Sequence, residues 1–165
     1  MARAIRIVGI AEEWTCILCL VAIAVILNLQ ILDRYLLDDP MIWPEEIARC
    51  LMIWIAWIGT AAVTRRGSHI GFDLLFARLP SRWRPAYDTA IDIAMGGFFV
   101  FLAIQGWLLA DVTADLTMAA TELPMALIVW PLAIGSGLSA MHCLVRTTFR
   151  LRGQSQALAT RREIV

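Results

Sequence analysis

Residues 43–73 read WPEEIARCLMIWIAWIGTAAVTRRGSHIGFD, and the order of residue types in that stretch decides the fold class. An aromatic, a proline and two carboxylates open it, an apolar run with a single arginine follows, and a basic turn bearing a histidine closes it. Pro44 has the fixed φ and missing N–H suited to a first helical turn, and Glu45 and Glu46 complement the positive end of the helix dipole. The run from 46 to 63 approaches the ~20 residues that a helix needs to cross the hydrocarbon core. Arg65 and Arg66 stop it at the other face, so the stretch is laid out as a membrane crossing.

The rest of the chain has the same character. Of its 165 residues 60% are hydrophobic and the mean hydropathy is +0.72, too apolar for a soluble domain of this size. Its 14 basic residues, all arginine, balance 14 acidic ones, but in a membrane protein the position of each charge matters more than the sum. Cys16, Cys19, Cys50 and Cys143 fall in apolar segments, where a small polarizable side chain packs well. Cys16 and Cys19 form a C-x-x-C within a hydrophobic helix, where packing and not redox chemistry is expected.

Upstream of the opening stretch, Arg3, Arg6, Glu12 and Glu13 precede a first span over roughly 14–31, with Asn28 and Gln30 at its far end. No small-residue cleavage site follows, so no cleaved signal peptide is expected. The link to Pro44 sets Asp33, Asp38 and Asp39 against a lone Arg34. Trp14, Tyr35, Trp43 and Trp83 are placed as membrane-interface anchors.

Downstream, Phe72, Leu75, Phe76 and Leu79 fall at i, i+3, i+4 and i+7, while Arg78 and Arg82 lie off that stripe. The spacing predicts an amphipathic helix over about 70–80, lying on the membrane surface with its arginines at anionic headgroups. A third span over roughly 87–110 carries Asp88 and Asp92 four apart on one face, an arrangement that needs a positive partner if buried. A fourth, over roughly 123–145, has no formal charge and contains Pro131, where a kink is expected. The arginine-bearing tail from Arg146 onward reads as peripheral, and as mobile over about 150–165.

Arginine placement orients the chain. Two arginines precede the first span, five lie between the second and third, and five follow the fourth, whereas the opposite side holds only Arg34, and Arg49 lies within the second span. The positive-inside rule then puts both termini and the middle segment in the cytoplasm. The expected fold is an all-α integral membrane protein, a single domain of four transmembrane helices plus the surface helix.

Chemistry is harder to place on this framework. Haem ligation needs histidines on facing helices, yet His69 lies in the middle segment and His142 stands alone near the end of the fourth span. No His, Cys and carboxylate group has metal-ligand spacing, and the outer loops contain no cysteines for thiol–quinone exchange. No cofactor, nucleic-acid partner or enzymatic activity is therefore expected. Small residues offer close helix approaches instead: Gly59, Gly96, Gly97, Gly135, Ser136, Gly137 and Ser139, serving either internal packing or a partner surface. Trp54 and Trp57, three apart in the second span, face either lipid or another protein, and their mid-membrane depth, away from the usual aromatic belts, favours protein.

Trp43, Glu45 and Glu46, Arg49, the apolar run with Trp54 and Gly59, Arg65 or Arg66, His69, Ile70 and Asp73 together resemble the signature of the small membrane subunit of tripartite ATP-independent periplasmic (TRAP) transporters, the DctQ-like family. The resemblance implies a large membrane subunit carrying the substrate and sodium sites. It also implies a periplasmic binding protein that delivers an organic acid, and a place in the bacterial inner membrane. The chain resembles the unfused form of the subunit. Under this reading sodium drives uptake, consistent with the absence of a G-x-x-x-x-G-K-[ST] phosphate loop. The competing reading is a self-sufficient four-helix exporter acting as a homo-oligomer.

The charges then acquire structural roles. Glu45 and Glu46 lie four and three residues before Arg49, so an intrahelical pair would make that arginine tolerable near the outer interface. Such a group would either only neutralise the arginine, or fix the subunit to its partner or present an acidic surface to the binding protein. Arg65 and Arg66 are expected to pair with Asp88 or Asp92, tying the second span to the third, with His69 and Asp73 in the turn beyond.

Overall fold

The computed structural model describes residues 2–36, 41–66 and 84–151. They form four helices, α1 (Ala2–Leu36), α2 (Trp43–Arg66), α3 (Arg84–Val112) and α4 (Ala126–Leu151), with no strand among the described residues. Each is long and apolar enough to cross a bilayer, over Arg6–Tyr35, Trp43–Arg66, Ala86–Val112 and Ala126–Arg150. Even α2, with 24 residues, reaches about 36 Å at 1.5 Å per residue, more than the ~30 Å hydrocarbon core. The chain is an all-α, multi-pass membrane protein. The surface helix expected over 70–80, together with His69, Asp73 and Trp83, lies outside the described residues, as does the chain beyond Leu151.

The helices pack chiefly in a row: α1 on α2, α2 on α4, and α4 most extensively on α3. The α3–α4 pair is antiparallel, and its register is legible from contacts along its length. Asp92 meets Arg146, Gly96 meets Cys143, Gly106 meets Ala133, and Trp107 meets Trp130 edge-on with ring centroids 5.0 Å apart. Phe99, Ala140 and Cys143 are buried in the middle of this pair, with Met95 and Leu102 against them.

Close backbone approach explains which small residues matter. A Cβ added to Gly106 would lie 2.9 Å from Ala133 N, and one added to Gly135 would lie 2.6 Å from the Trp57 carbonyl oxygen. These two glycines let α4 touch α3 on one side and α2 on the other. Ser136 and Ser139 are fully buried and turn their hydroxyls onto their own helix, at Leu132 O and Gly135 O. Gly59, Gly97 and Gly137, by contrast, have nothing within 4 Å of an added Cβ.

Candidate functional site

Polar side chains gather about three turns into α1, near the start of α3 and at the ends of α2 and α4. Glu12 and Glu13 project from α1. Arg65 reaches both, with Nε 3.4 Å from Glu12 and Nη2 2.5 Å from Glu13, and Arg66 Nη2 lies 2.9 Å from the same Glu13 oxygen. The Arg65 guanidinium passes over Gly9, where an added Cβ would lie 2.5 Å from it, so the missing side chain makes room for the pairing.

The network continues through α4. His142 Nε2 lies 2.7 Å from the other Glu12 oxygen, and both side chains are almost wholly buried. One turn on, Arg146 donates to the Thr64 carbonyl at 3.0 Å and pairs with Asp92 of α3. Arg150 lies 3.2 Å from Asp92 and 3.4 Å from Asp88. Four carboxylates and four guanidiniums thus link all four helices at one end of the bundle. In a low-dielectric surrounding a buried charge is tolerated only beside such partners, which makes this charged end a fixed register mark for the helices.

At the opposite end, Glu46 in the first turn of α2 holds the α3–α4 connection. Its carboxylate accepts from the backbone N–H groups of Ala119 (3.0 Å), Ala120 (3.2 Å) and Thr121 (2.8 Å) and from the Thr121 hydroxyl (2.8 Å). The connection closes on itself through Met118 N to Leu123 O and Met125 N to Leu116 O, with Glu122 at a φ of 55° between them. An irregular segment beside a membrane needs its N–H groups satisfied, and one carboxylate supplies three of them. Glu46→Ala is expected to open residues 113–125 to limited proteolysis several-fold faster than wild type. Glu46→Gln should fall between, because its amide keeps one acceptor oxygen while turning donors toward donors.

A third contact lies between these ends. Pro131 has no N–H to give to the carbonyl four residues earlier, so the Leu127 oxygen loses its helical partner. Trp54 Nε1 of α2 donates to that oxygen at 3.1 Å, and Cys50 Sγ lies 3.7 Å from it. Trp57, one turn along, packs on Gly135. The two tryptophans therefore each touch α4 of their own chain, and both remain half-buried.

Several expected pairings are corrected by this geometry. Arg65 and Arg66 do not meet Asp88 or Asp92, because α4 lies between α2 and α3; they turn to α1, and the α4 arginines take the aspartates. Glu46 does not pair with Arg49, because the loop offers it four donors. Arg49 is exposed and forms no ion pair among the described residues, and Glu45 is likewise exposed. Arg146 and Arg150 belong to α4 and not to a peripheral tail, and His142 is not alone. Glu12 and Glu13 lie inside α1, not ahead of it. Trp14, Tyr35 and Trp43 are exposed. Among the described residues no group of three His, Cys, Asp or Glu side chains could hold a metal ion.

Four membrane-crossing helices, charge clusters used between helices and a carboxylate-held loop define a multi-pass membrane protein of bundle type. The family described as tripartite ATP-independent periplasmic transporters, DctQ component, matches residues 23–153, and the chain belongs to that family. It is similar to the sialic acid TRAP transporter small permease protein SiaQ of Vibrio cholerae, 31% identical over 90 residues, 54% of this chain and 52% of that protein. It is also similar to the sialic acid TRAP transporter permease protein SiaT of Haemophilus influenzae, 32% identical over 82 residues, 50% of this chain and 13% of that protein. A third relative, the isethionate TRAP transporter permease protein DctMQ of Oleidesulfovibrio alaskensis, is 29% identical over 136 residues, 76% of this chain and 21% of that protein. The chain therefore spans about half the length of the first of these and a smaller part of the other two.

Proposed function

We propose that this chain is the small permease subunit of a TRAP transporter, a non-catalytic scaffold for a large membrane subunit. That partner would carry out sodium-driven uptake of an organic acid delivered by a periplasmic binding protein. The observation that carries the reading is that the charges of the bundle are used between helices. Glu12, Asp92 and His142 face partners from other helices, and Glu46 faces a loop of its own chain. Such a bundle is built to hold a shape. The sialic acid and isethionate transporters among the relatives support an organic anion as the cargo. The arginine distribution supports an inner-membrane topology with both termini in the cytoplasm.

The test is co-expression with the cognate large permease and binding protein, followed by reconstitution and uptake under a sodium gradient. Uptake is expected only when both membrane subunits are present. Uptake by this chain alone would overturn the proposal in favour of a homo-oligomeric exporter. Arg49→Ala probes the attachment separately. With no ion pair to lose among the described residues, the variant is expected at normal yield but with weakened co-purification of the large subunit. Unchanged co-purification and uptake would remove Arg49 from the interface.

A further inference from the structure

A hollow of about 370 Å³ opens between α1 and α2, lined by Glu13, Cys16, Ile17, Gly59, Ala62, Val63 and Arg66. Among the described residues its lining comes from these two helices alone. Most of the lining is apolar, and Gly59 leaves space there, since nothing lies within 4 Å of an added Cβ. The two charged residues lie toward the charged end, where α2 stops.

Two carboxylates face two guanidiniums there, but one oxygen is shared. One Glu13 oxygen serves both Arg65 at 2.5 Å and Arg66 at 2.9 Å. Arg65 is mostly covered and has Glu12 as a second partner, whereas the Arg66 side chain is 53% exposed. Arg66 is engaged through Nη2 among the described residues, and its half-exposed fork carries further N–H donors. A guanidinium presents those donors in a plane that suits a phosphate.

An apolar trough ending at a half-exposed guanidinium, on a helix that crosses a bilayer, matches a phospholipid. We propose that the α1–α2 groove is a phospholipid-binding site, with the headgroup phosphate on Arg66 and one acyl chain over Gly59. At ~30 Å³ for each water-sized group the hollow holds about a dozen such groups, enough for much of one acyl chain. A packed helix is a poorer match, because the hollow is confined to about two turns of α2 around residues 59–66. A free anion would gain nothing from the apolar walls. The lipid would cover the outer side of the Glu13–Arg65–Arg66 group and wedge α1 against α2.

The test uses the full chain, delipidated in detergent, supplied with phosphatidylglycerol and examined by native mass spectrometry. Wild type is expected to retain one phospholipid per chain after the detergent is stripped. Gly59→Leu, whose side chain points into open space, should lose the adduct while keeping wild-type helicity by circular dichroism, and Gly59→Ala should keep it. Arg66→Gln should weaken retention by about fivefold, the effect of one arginine at an anionic surface. Millimolar inorganic phosphate should not displace the lipid. Equal retention in wild type, Gly59→Leu and Arg66→Gln would overturn the proposal, as would a wild-type chain with no adduct. Displacement by inorganic phosphate would overturn it in favour of a simple anion site.

Discussion

Asp92→Ala is expected to cut the yield of folded protein far more than it cuts uptake per folded transporter. Asp92 is 3% exposed and faces two arginines of α4, Arg146 and Arg150. Arg146 also bonds the Thr64 carbonyl, so the aspartate anchors a side chain that spans from α3 to α2. Removing the carboxylate leaves buried guanidinium charge without its counter-ion, a change that costs about 3–5 kcal/mol where one member of a buried pair is lost. That is a large share of a total stability on the order of 5–15 kcal/mol. The pair as a whole costs desolvation to bury, so a variant carrying both Asp92→Leu and Arg146→Met should regain much of the lost yield. Thermal unfolding of detergent-purified protein, alongside uptake normalised to folded protein, separates the alternatives. Normal abundance with lost uptake would place Asp92 in the transport step itself.

What the sequence made legible, and what it hid, follows from the reach of each interaction. Hydropathy and arginine placement depend on runs of residues along one helix, so the membrane fold could be read from composition and pattern. Pairings between helices depend on their order in space, which no local pattern encodes. Arg65 lies closer in sequence to Asp88 than to Glu12, yet α4 inserts between α2 and α3 and α1 takes the arginine. A signal was present: Glu12 and Glu13 run into the first apolar segment with no proline between, and a carboxylate pair at the edge of a span needs cations. Asp88 and Asp92 did announce a positive partner by their spacing. The partner was hidden because Arg146 and Arg150 follow a long apolar run and look like the start of a tail. Glu46 was visible as a helix N-terminal carboxylate, but its loop contacts were not, because they join residues more than 70 positions apart.

Trp54→Phe is expected to destabilise the bundle by about 1–3 kcal/mol, the cost of leaving one carbonyl of a membrane-crossing helix without a donor where lipid offers none. Phe keeps one aromatic ring but loses the pyrrole ring along with the N–H that makes the 3.1 Å bond from Trp54 Nε1 to Leu127 O, so the bond is separated from the lost packing by a second substitution. That bond is needed because Pro131 supplies no N–H to the Leu127 oxygen. Pro131→Ala restores the helical donor, and the same Trp54→Phe change should then cost much less. The two substitutions are therefore coupled, with an interaction energy on the order of 1 kcal/mol in a double-mutant cycle. Cys50, 3.7 Å from the same oxygen, is a weak donor, and Cys50→Ala should enlarge the effect of Trp54→Phe. Thermal unfolding of the four proteins of the cycle in one detergent measures the coupling. Strict additivity would mean that Trp54 is held by packing alone and that the proline-freed carbonyl finds its donor elsewhere. Coupling of the expected sign would make Pro131 and Trp54 a matched pair, in which the break in one helix creates the acceptor that fixes the position of its neighbour.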